Sequence, residues 1–283
     1  MALPSVPWVA QAASETRRKI IAFSKPFQNF TPDETADLVA EIGWDGIECP
    51  VRKNGHVSPD RVEEDLPKMA DALKKRGLEL TMLTTDIRNA TDPLNEKVLR
   101  TAGKLGVKHY RLSYWKYKMD RPVPDQLKRI RAELKELVDL NRQVGICGGF
   151  QNHSGSDYVG APVWDIYELI KDFDSRYLGC CFDIGHATLE GGYSWPVQAH
   201  LMKPFVSVYY VKDFLWTKKG GGPWRADWCP LGEGMVQSSF FKRFKDVPPS
   251  IPVSQHHEYP LEGRKEMVTA MKKDLEVLRK WLV

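Results

Sequence analysis

Four times in its first 153 residues, the chain runs an amphipathic helical segment into a glycine and then directly into a short apolar strand. The junctions are Ile42-Gly43 before DGIECPV, Arg76-Gly77 before LELTMLTT, Leu105-Gly106 before VKHYRLSY and Val144-Gly145 before ICGGFQNH. Glycine ends a helix because it takes the left-handed conformation without a Cβ clash. The preceding segments carry helical spacing: Leu66, Met69 and Leu73 share one face, as do Leu127, Ile130, Leu134 and Leu137. Helices alternating with single strands require a parallel sheet.

Further strands are expected at 179–186 (GCCFDIGH), 205–214 (FVSVYYVKDF) and 252–259 (PVSQHHEY), with a first at 19–27 (KIIAFSKPF). Eight strands separated by helix-compatible segments favour a closed (β/α)8 TIM barrel, an α/β fold, over an open sheet. The 283 residues suit one such domain. The glycine run Gly220 to Gly222 links no strand to a helix, so no dinucleotide fingerprint supports the open alternative. Residues 19–283 are therefore read as the barrel and 1–18 as an N-terminal extension. The Ala10-Gln11-Ala12 pattern admits a trimmed export-signal remnant, although no basic n-region precedes it. The compartment is left open between cytoplasm and periplasm. The glycine- and tryptophan-rich stretch 215–237 is expected as an irregular loop over the active face.

A net charge of +4 spread over many helices gives no basic face for nucleic acid, and no stretch is long enough to cross a bilayer. Cys180 and Cys181, adjacent in an apolar run, read as small buried hydrophobes among five cysteines without zinc spacing.

In a barrel of this kind, reactive groups project from the carboxyl ends of the strands. Side chains two apart share a face, which pairs Gln151 with His153, Tyr210 with Lys212, and His256 with Glu258. Asp183 ends the sixth strand with His186 beyond it, and Glu48 interrupts the second. Charges inside strands are costly unless partnered, and a coordinated cation or a bound polyol would partner all of them. Lys212 and Asp213 admit a second reading as a surface ion pair. His257 and Tyr259 have the opposite parity and are expected against helices. His56 and His109 are expected to be structural or exposed.

The segments GWDGIE (43–48), QNHSG (151–155), DIGHAT (183–188), VKDF (211–214), PLGEGMV (230–236) and HHEYP (256–260), in this order, resemble the xylose-isomerase-like barrel superfamily of sugar isomerases and epimerases. The resemblance covers the chain from about residue 19. It implies one divalent cation held by Glu, Asp, His and Glu on strands five to eight. Asp183 and Glu258 match, and His186 matches a substrate contact. Gln151 stands where Glu is expected and Tyr210 where His is expected. A weaker metal site and the loss of one of two acid/base glutamates follow.

The reading that results is an isomerase or epimerase acting on a sugar, keto-sugar or cyclitol by metal-assisted proton transfer next to a carbonyl. Mg²⁺ or Mn²⁺ would sit on Asp183 and Glu258, completed by Gln151 and His256. Glu258, His153 and Lys212 would carry the chemistry, and Glu48, His186, Arg111 and Tyr210 would hold substrate. A lyase, dehydratase or keto-glycoside-cleaving enzyme suits a one-base site nearly as well. A non-catalytic sugar-binding barrel is a third option. Endonuclease-type DNA repair fits poorly, since a three-zinc cluster would need more suitably placed ligands than the 7 histidines offer. The expected partner is a small carbohydrate, with neither nucleic acid nor membrane, and a homo-oligomer is compatible with the sequence.

Overall fold

Thr31 starts the first helix, α1 (Pro32–Ile42), with a reciprocal cap. Its side chain accepts from the Glu34 backbone, and the Glu34 carboxylate accepts from the Thr31 backbone. Gly43, at φ 97°, ends it, and the Trp44 N–H reaches back to the Val39 carbonyl at 3.3 Å. The same five-residue reach recurs at the other three junctions. Leu78 bonds Leu73, Val107 bonds Ala102 and Ile146 bonds Asn141, with left-handed Gly77, Gly106 and Gly145 between. The repeated junction is thus a repeated Schellman-type stop that hands each helix directly to a strand.

The computed structural model describes residues 17–218, 220–244 and 247–283. The reading of 1–18 as an extension falls almost wholly outside them. Eight parallel strands close into a barrel: β1 (Ile20–Phe23), β2 (Gly46–Val51), β3 (Glu79–Thr85), β4 (His109–Arg111), β5 (Cys147–Gln151), β6 (Leu178–Asp183), β7 (Val206–Val211) and β10 (Val253–Gln255). The seam is β1 against β10, with Ile20 paired to Val253 and Ala22 to Gln255. Helices α2 (Val62–Lys74), α3 (Pro93–Lys104), α4 (Val123–Val144) and α5 (Val163–Ile170) follow the second to fifth strands. Both α6 (Ile184–Gly191) and α7 (Trp195–Met202) follow β6, and α8 (Gly263–Trp281) closes the chain. No helix of the described residues is long and apolar enough to cross a membrane.

The core divides as barrel geometry requires. Outward residues such as Ile47, Leu83, Phe150, Phe182 and Tyr209 join the helices' apolar faces in one large cluster. Ile21, Met82, Cys181, Val208 and Tyr210, from β1, β3, β6 and β7, form a separate small cluster, which fills the barrel interior. Cys180 and Cys181 are both fully buried, one on each side of this division.

Three expected elements differ in extent. The apolar run 205–214 is not one strand: β7 stops at Val211, and Asp213 starts an antiparallel ribbon, β8 (Asp213–Thr217) with β9 (Arg225–Cys229). Part of the expected irregular loop is therefore ordered. A 3-10 helix at Ser238–Phe244 stands where the seventh barrel helix would be. The first and last strands are shorter than expected, so His256 and Glu258 lie just past the end of β10.

Candidate active site

Asp183 ends β6 and caps α6. One carboxylate oxygen accepts the His186 N–H at 2.9 Å, and this turn fixes His186 beside the strand ends. The other oxygen accepts from the Gln151 amide at 2.8 Å and lies 3.3 Å from Lys212 Nζ. Asn152 ties the two strands beyond their ladder. Its amide donates to the Asp183 carbonyl and its oxygen accepts the Asp183 N–H, at 2.9 and 2.7 Å. Neither Asn152 nor Ser154 was picked out from the sequence, although both stand inside QNHSG.

Lys212 sits at the centre of these groups. Its side chain is 3% exposed, with Nζ 2.8 Å from His186 Nε2, 3.3 Å from Asp183 and 3.3 Å from Glu258. The ring of Trp228, carried in by β9, lies over the ammonium at 4.4 Å. Burial would lower the lysine pKa, but the Asp183 and Glu258 carboxylates outweigh it and hold the group above its ordinary value. The reading of Lys212 and Asp213 as a surface ion pair is therefore corrected. Both are buried, and Asp213 instead accepts the backbone N–H groups of Phe214, Gly232, Gly234 and Val236 at 2.9 to 3.0 Å. The PLGEGMV segment is folded around that carboxylate.

The imidazoles have assignable tautomers. Lysine only donates, so His186 Nε2 accepts and its Nδ1–H faces Ser154 Oγ at 2.8 Å. Burial, with Lys212, His153 and His256 nearby, pushes the His186 pKa well below the usual imidazole value. His153 Nδ1 lies 2.8 Å from the Ser154 carbonyl, which only accepts, so Nδ1 carries the proton and Nε2 is left basic. Burial and then the Lys212 charge lower the His153 pKa. Its ring lies against His186 at 4.0 Å and stacks on Tyr158 at 4.5 Å. Glu258 keeps 24% of its side chain exposed. Burial raises its pKa, but Lys212, His256 and Lys25 bring it down to about 2.

A second group lies beside the first. Glu48 is fully buried and accepts from Thr84, from Tyr210 at 2.8 Å and from Ser254 at 2.6 Å, with His256 Nε2 at 3.1 Å. Burial raises its pKa, and His256 with the hydroxyl donors outweighs that and brings it to about 2. Glu48 and Tyr210, expected to hold substrate hydroxyls, instead satisfy each other. Arg111, 2% exposed, lies 4.5 Å over the Tyr114 ring with one guanidinium nitrogen 3.5 Å from Gln151 Oε1.

The residues expected to bind a cation do not fit one as they stand. Gln151 turns its nitrogen toward Asp183, and its oxygen accepts from Tyr114 at 2.6 Å. Reversing the amide would set a carbonyl against a carboxylate. His256 is engaged by Glu48. Asp183 and Glu258 share the Lys212 ammonium, 3.3 Å from each, and it fills the space between them that a cation would need. Among the described residues, no group of three or more His, Cys, Asp or Glu is arranged to hold a metal ion. A cavity of about 550 Å³ opens at the opposite, amino-terminal end of the barrel, between His109, Cys147, Val206 and Ile251, remote from this acid–base cluster.

His257 and Tyr259 have the expected placement, both facing Asp274 of α8, at 3.4 and 2.8 Å. Trp228 lies in the tryptophan-rich stretch expected over the active face, but which of its tryptophans reaches Lys212 is set by the pairing of the ribbon.

Comparison with known proteins places this architecture. The family model of the xylose isomerase-like TIM barrel matches residues 36–281, and the chain belongs to that family. Among solved structures it is similar to the 3-keto-D-glucoside 4-epimerase YcjR of E. coli, at 14% identity and a TM-score of 0.69, covering 93% of this chain and 100% of that one. It is also similar to AsbF of Bacillus anthracis, described as a "probable 3-DHS dehydratase", at 14% identity and 0.69, covering 93% and 98%. A xylose isomerase-like TIM barrel protein from Mycobacterium smegmatis in complex with magnesium matches at 16% identity and 0.66, covering 94% and 98%. At these identities the likeness is one of fold. An uncharacterized protein of Methanocaldococcus jannaschii is 36% identical over 61 residues, a stretch of 21% of this chain and 21% of that protein.

Proposed function

We propose that this xylose isomerase-like barrel is a carbohydrate-processing enzyme of the isomerase or epimerase type, moving a proton next to the carbonyl of a sugar, keto-sugar or cyclitol. One observation carries the reading: an ionised, partly exposed Glu258 stands beside a buried ammonium and an imidazole whose Nε2 is unprotonated. Glu258 removes the proton from the carbon adjoining the carbonyl. Lys212 sets a fixed positive charge near the oxygen on which charge develops. His153 Nε2 is the second proton carrier, in the role a strand-five carboxylate would otherwise fill. His186 and Asp183 fix the lysine, while Gln151 and Asn152 fix Asp183. Arg111, with Tyr114 on its face, supplies fixed positive charge beside Gln151.

A lyase reading is favoured by one feature, the neutral Gln151. With a single carboxylate base, the proton that Glu258 removes is passed on to the departing β-hydroxyl or glycosidic oxygen, which leaves as water or an alcohol while the carbon–carbon double bond forms. Incubation with a panel of keto-sugars, keto-glycosides and cyclitols in D₂O separates these. An isomerase incorporates deuterium into recovered substrate and its isomer, and a lyase yields an unsaturated product. Saturable sugar binding with no exchange in wild type would overturn the enzyme reading in favour of a binding barrel.

A further inference from the structure

Three side chains of the type that bind metals converge on a single atom, and that atom belongs to the protein. Asp183 Oδ2 comes from the end of β6, His186 Nε2 from the first turn of α6, and Glu258 Oε1 from beyond β10. They stand 3.3, 2.8 and 3.3 Å from Lys212 Nζ. An ammonium has three N–H donors, and three acceptors face it, so its hydrogen bonding is complete. Trp228 covers the remaining side.

The lysine is built in rather than folded over. A Cβ on Gly185 would come within 2.9 Å of Lys212 Cγ and 3.0 Å of its carbonyl oxygen, so the glycine of the DIGH segment makes room for the stem. Gly185 belongs to α6, where glycine costs about 1 kcal/mol against alanine and needs a packing reason. Moving the ammonium aside would strip a buried cation of its partners, a change that costs several kcal/mol.

We propose that the Lys212 ammonium is the resident cation of this site, standing where a divalent metal would, so that the wild-type protein holds neither Mg²⁺ nor Mn²⁺ there. Its catalytic consequence rests on the proton-transfer reading above, but the identity of the cation does not. In a barrel of this kind the ammonium contributes what a Lewis acid would: a positive charge beside the developing oxyanion. It contributes that charge as a fixed part of the chain, which needs no loading from solution. Removing it should leave His186, Asp183 and Glu258 free to draw together around a divalent ion, which takes imidazole and carboxylate donors.

The test is titration of MnCl₂ into chelator-treated wild-type, Lys212→Ala and Lys212→Met proteins, read by electron paramagnetic resonance of free Mn²⁺ and by calorimetry, with no substrate present. Wild type should take up no stoichiometric Mn²⁺. Lys212→Ala should bind one equivalent, with affinity higher on the order of tenfold or more, and adding Glu258→Gln should remove it. Lys212→Met keeps the packed stem and should stay empty. Chelator-treated wild type should retain its full turnover on whichever substrate is active. One equivalent of Mn²⁺ bound by wild type and lost on Glu258→Gln overturns the proposal. So does a folded Lys212→Ala protein that gains no affinity, and the wild-type titration decides even if neither variant folds. A chain inactive on every sugar would sink the enzyme reading while leaving this result intact.

Discussion

Two buried carboxylate centres stand at the same end of this barrel and are partnered in opposite ways. Glu48 has three hydroxyl donors and one imidazole, contributed by β3, β7, β10 and the residue just beyond β10, and none of its surface reaches solvent. Asp183 and Glu258 are joined through an ammonium, with Glu258 still open at its outer edge. The first centre is complete, since every acceptor has a donor of fixed position and no ligand is needed. The second balances charge against charge in a place a small molecule can reach. Burial alone therefore does not mark a functional carboxylate. What marks one is an incomplete shell beside a group of opposite charge.

The contrast can be broken by mutation. The largest effect is expected for Glu258→Gln, which should lower kcat/KM by about 10²–10⁴-fold with little change in Tm. A comparable loss of Tm would make Glu258 a structural group like Glu48. His153→Ala should follow, at about 10²-fold, and a value near wild type would remove it as the second proton carrier. Glu48→Ala should act the other way round. It should cost about 3 kcal/mol of stability by leaving a buried partner set unpaired, measured by denaturant titration, and affect activity only through that loss. Gln151→Glu sharpens the comparison further. It would place a second carboxylate 2.8 Å from Asp183 Oδ2, and kcat/KM should drop about tenfold, or 1.4 kcal/mol. A strong rise instead would mean an epimerase site that had merely lost its second base.

The smallest effect is on pH dependence, and it has a defined sign. Burial depresses His56 and His109 to about 4 and His257 to about 3, below the ordinary 6.5, so the unfolded chain takes up those protons first. Stability is then lost as pH falls below about 6.5, and further below 4.5 as Glu48 and Glu258, both near 2 in the fold, resist protonation. Asp274, raised to about 6 chiefly by burial, acts in the opposite sense between 3.8 and 6. Tm measured from pH 8 to 4 should be level at first and decline below about 6.5. The acid limb of kcat/KM should lie below that point too, because the lowered His153 pKa keeps its Nε2 free. An acid limb above pH 7 would exclude His153 as the second proton carrier.

The barrel was legible in the sequence because its signals are local. Each Gly43-type stop is written within six residues, and strand alternation pairs Gln151 with His153 and Tyr210 with Lys212, side chains that meet the Asp183 and Glu48 groups at one end of the barrel. The departures arise where the partner is far along the chain. Nothing near Glu48 foretells Ser254, which lies 206 positions away. The apolar run through Lys212 reads as one strand, because the break depends on Asp213 reaching the backbone of residues 232–236. The other partners of the expected ligand set are hidden from the sequence for a similar reason. Residue identity does not reveal which end of the Gln151 amide faces Asp183, nor that a flexible lysine stem is long enough to reach the centre of the donors.

The seam between β1 and β10 also has a consequence for how the molecule is made. Asp183, His186 and Lys212 emerge during synthesis before Glu258, and β10 closes the barrel only by pairing with β7 and with β1, the first barrel strand to be made. Until that closure the ammonium has one carboxylate instead of two, and the nascent protein holds a half-compensated charge. Closure of the barrel and assembly of the acid–base cluster are thus one event, so a chain that has not yet made β10 holds no complete site.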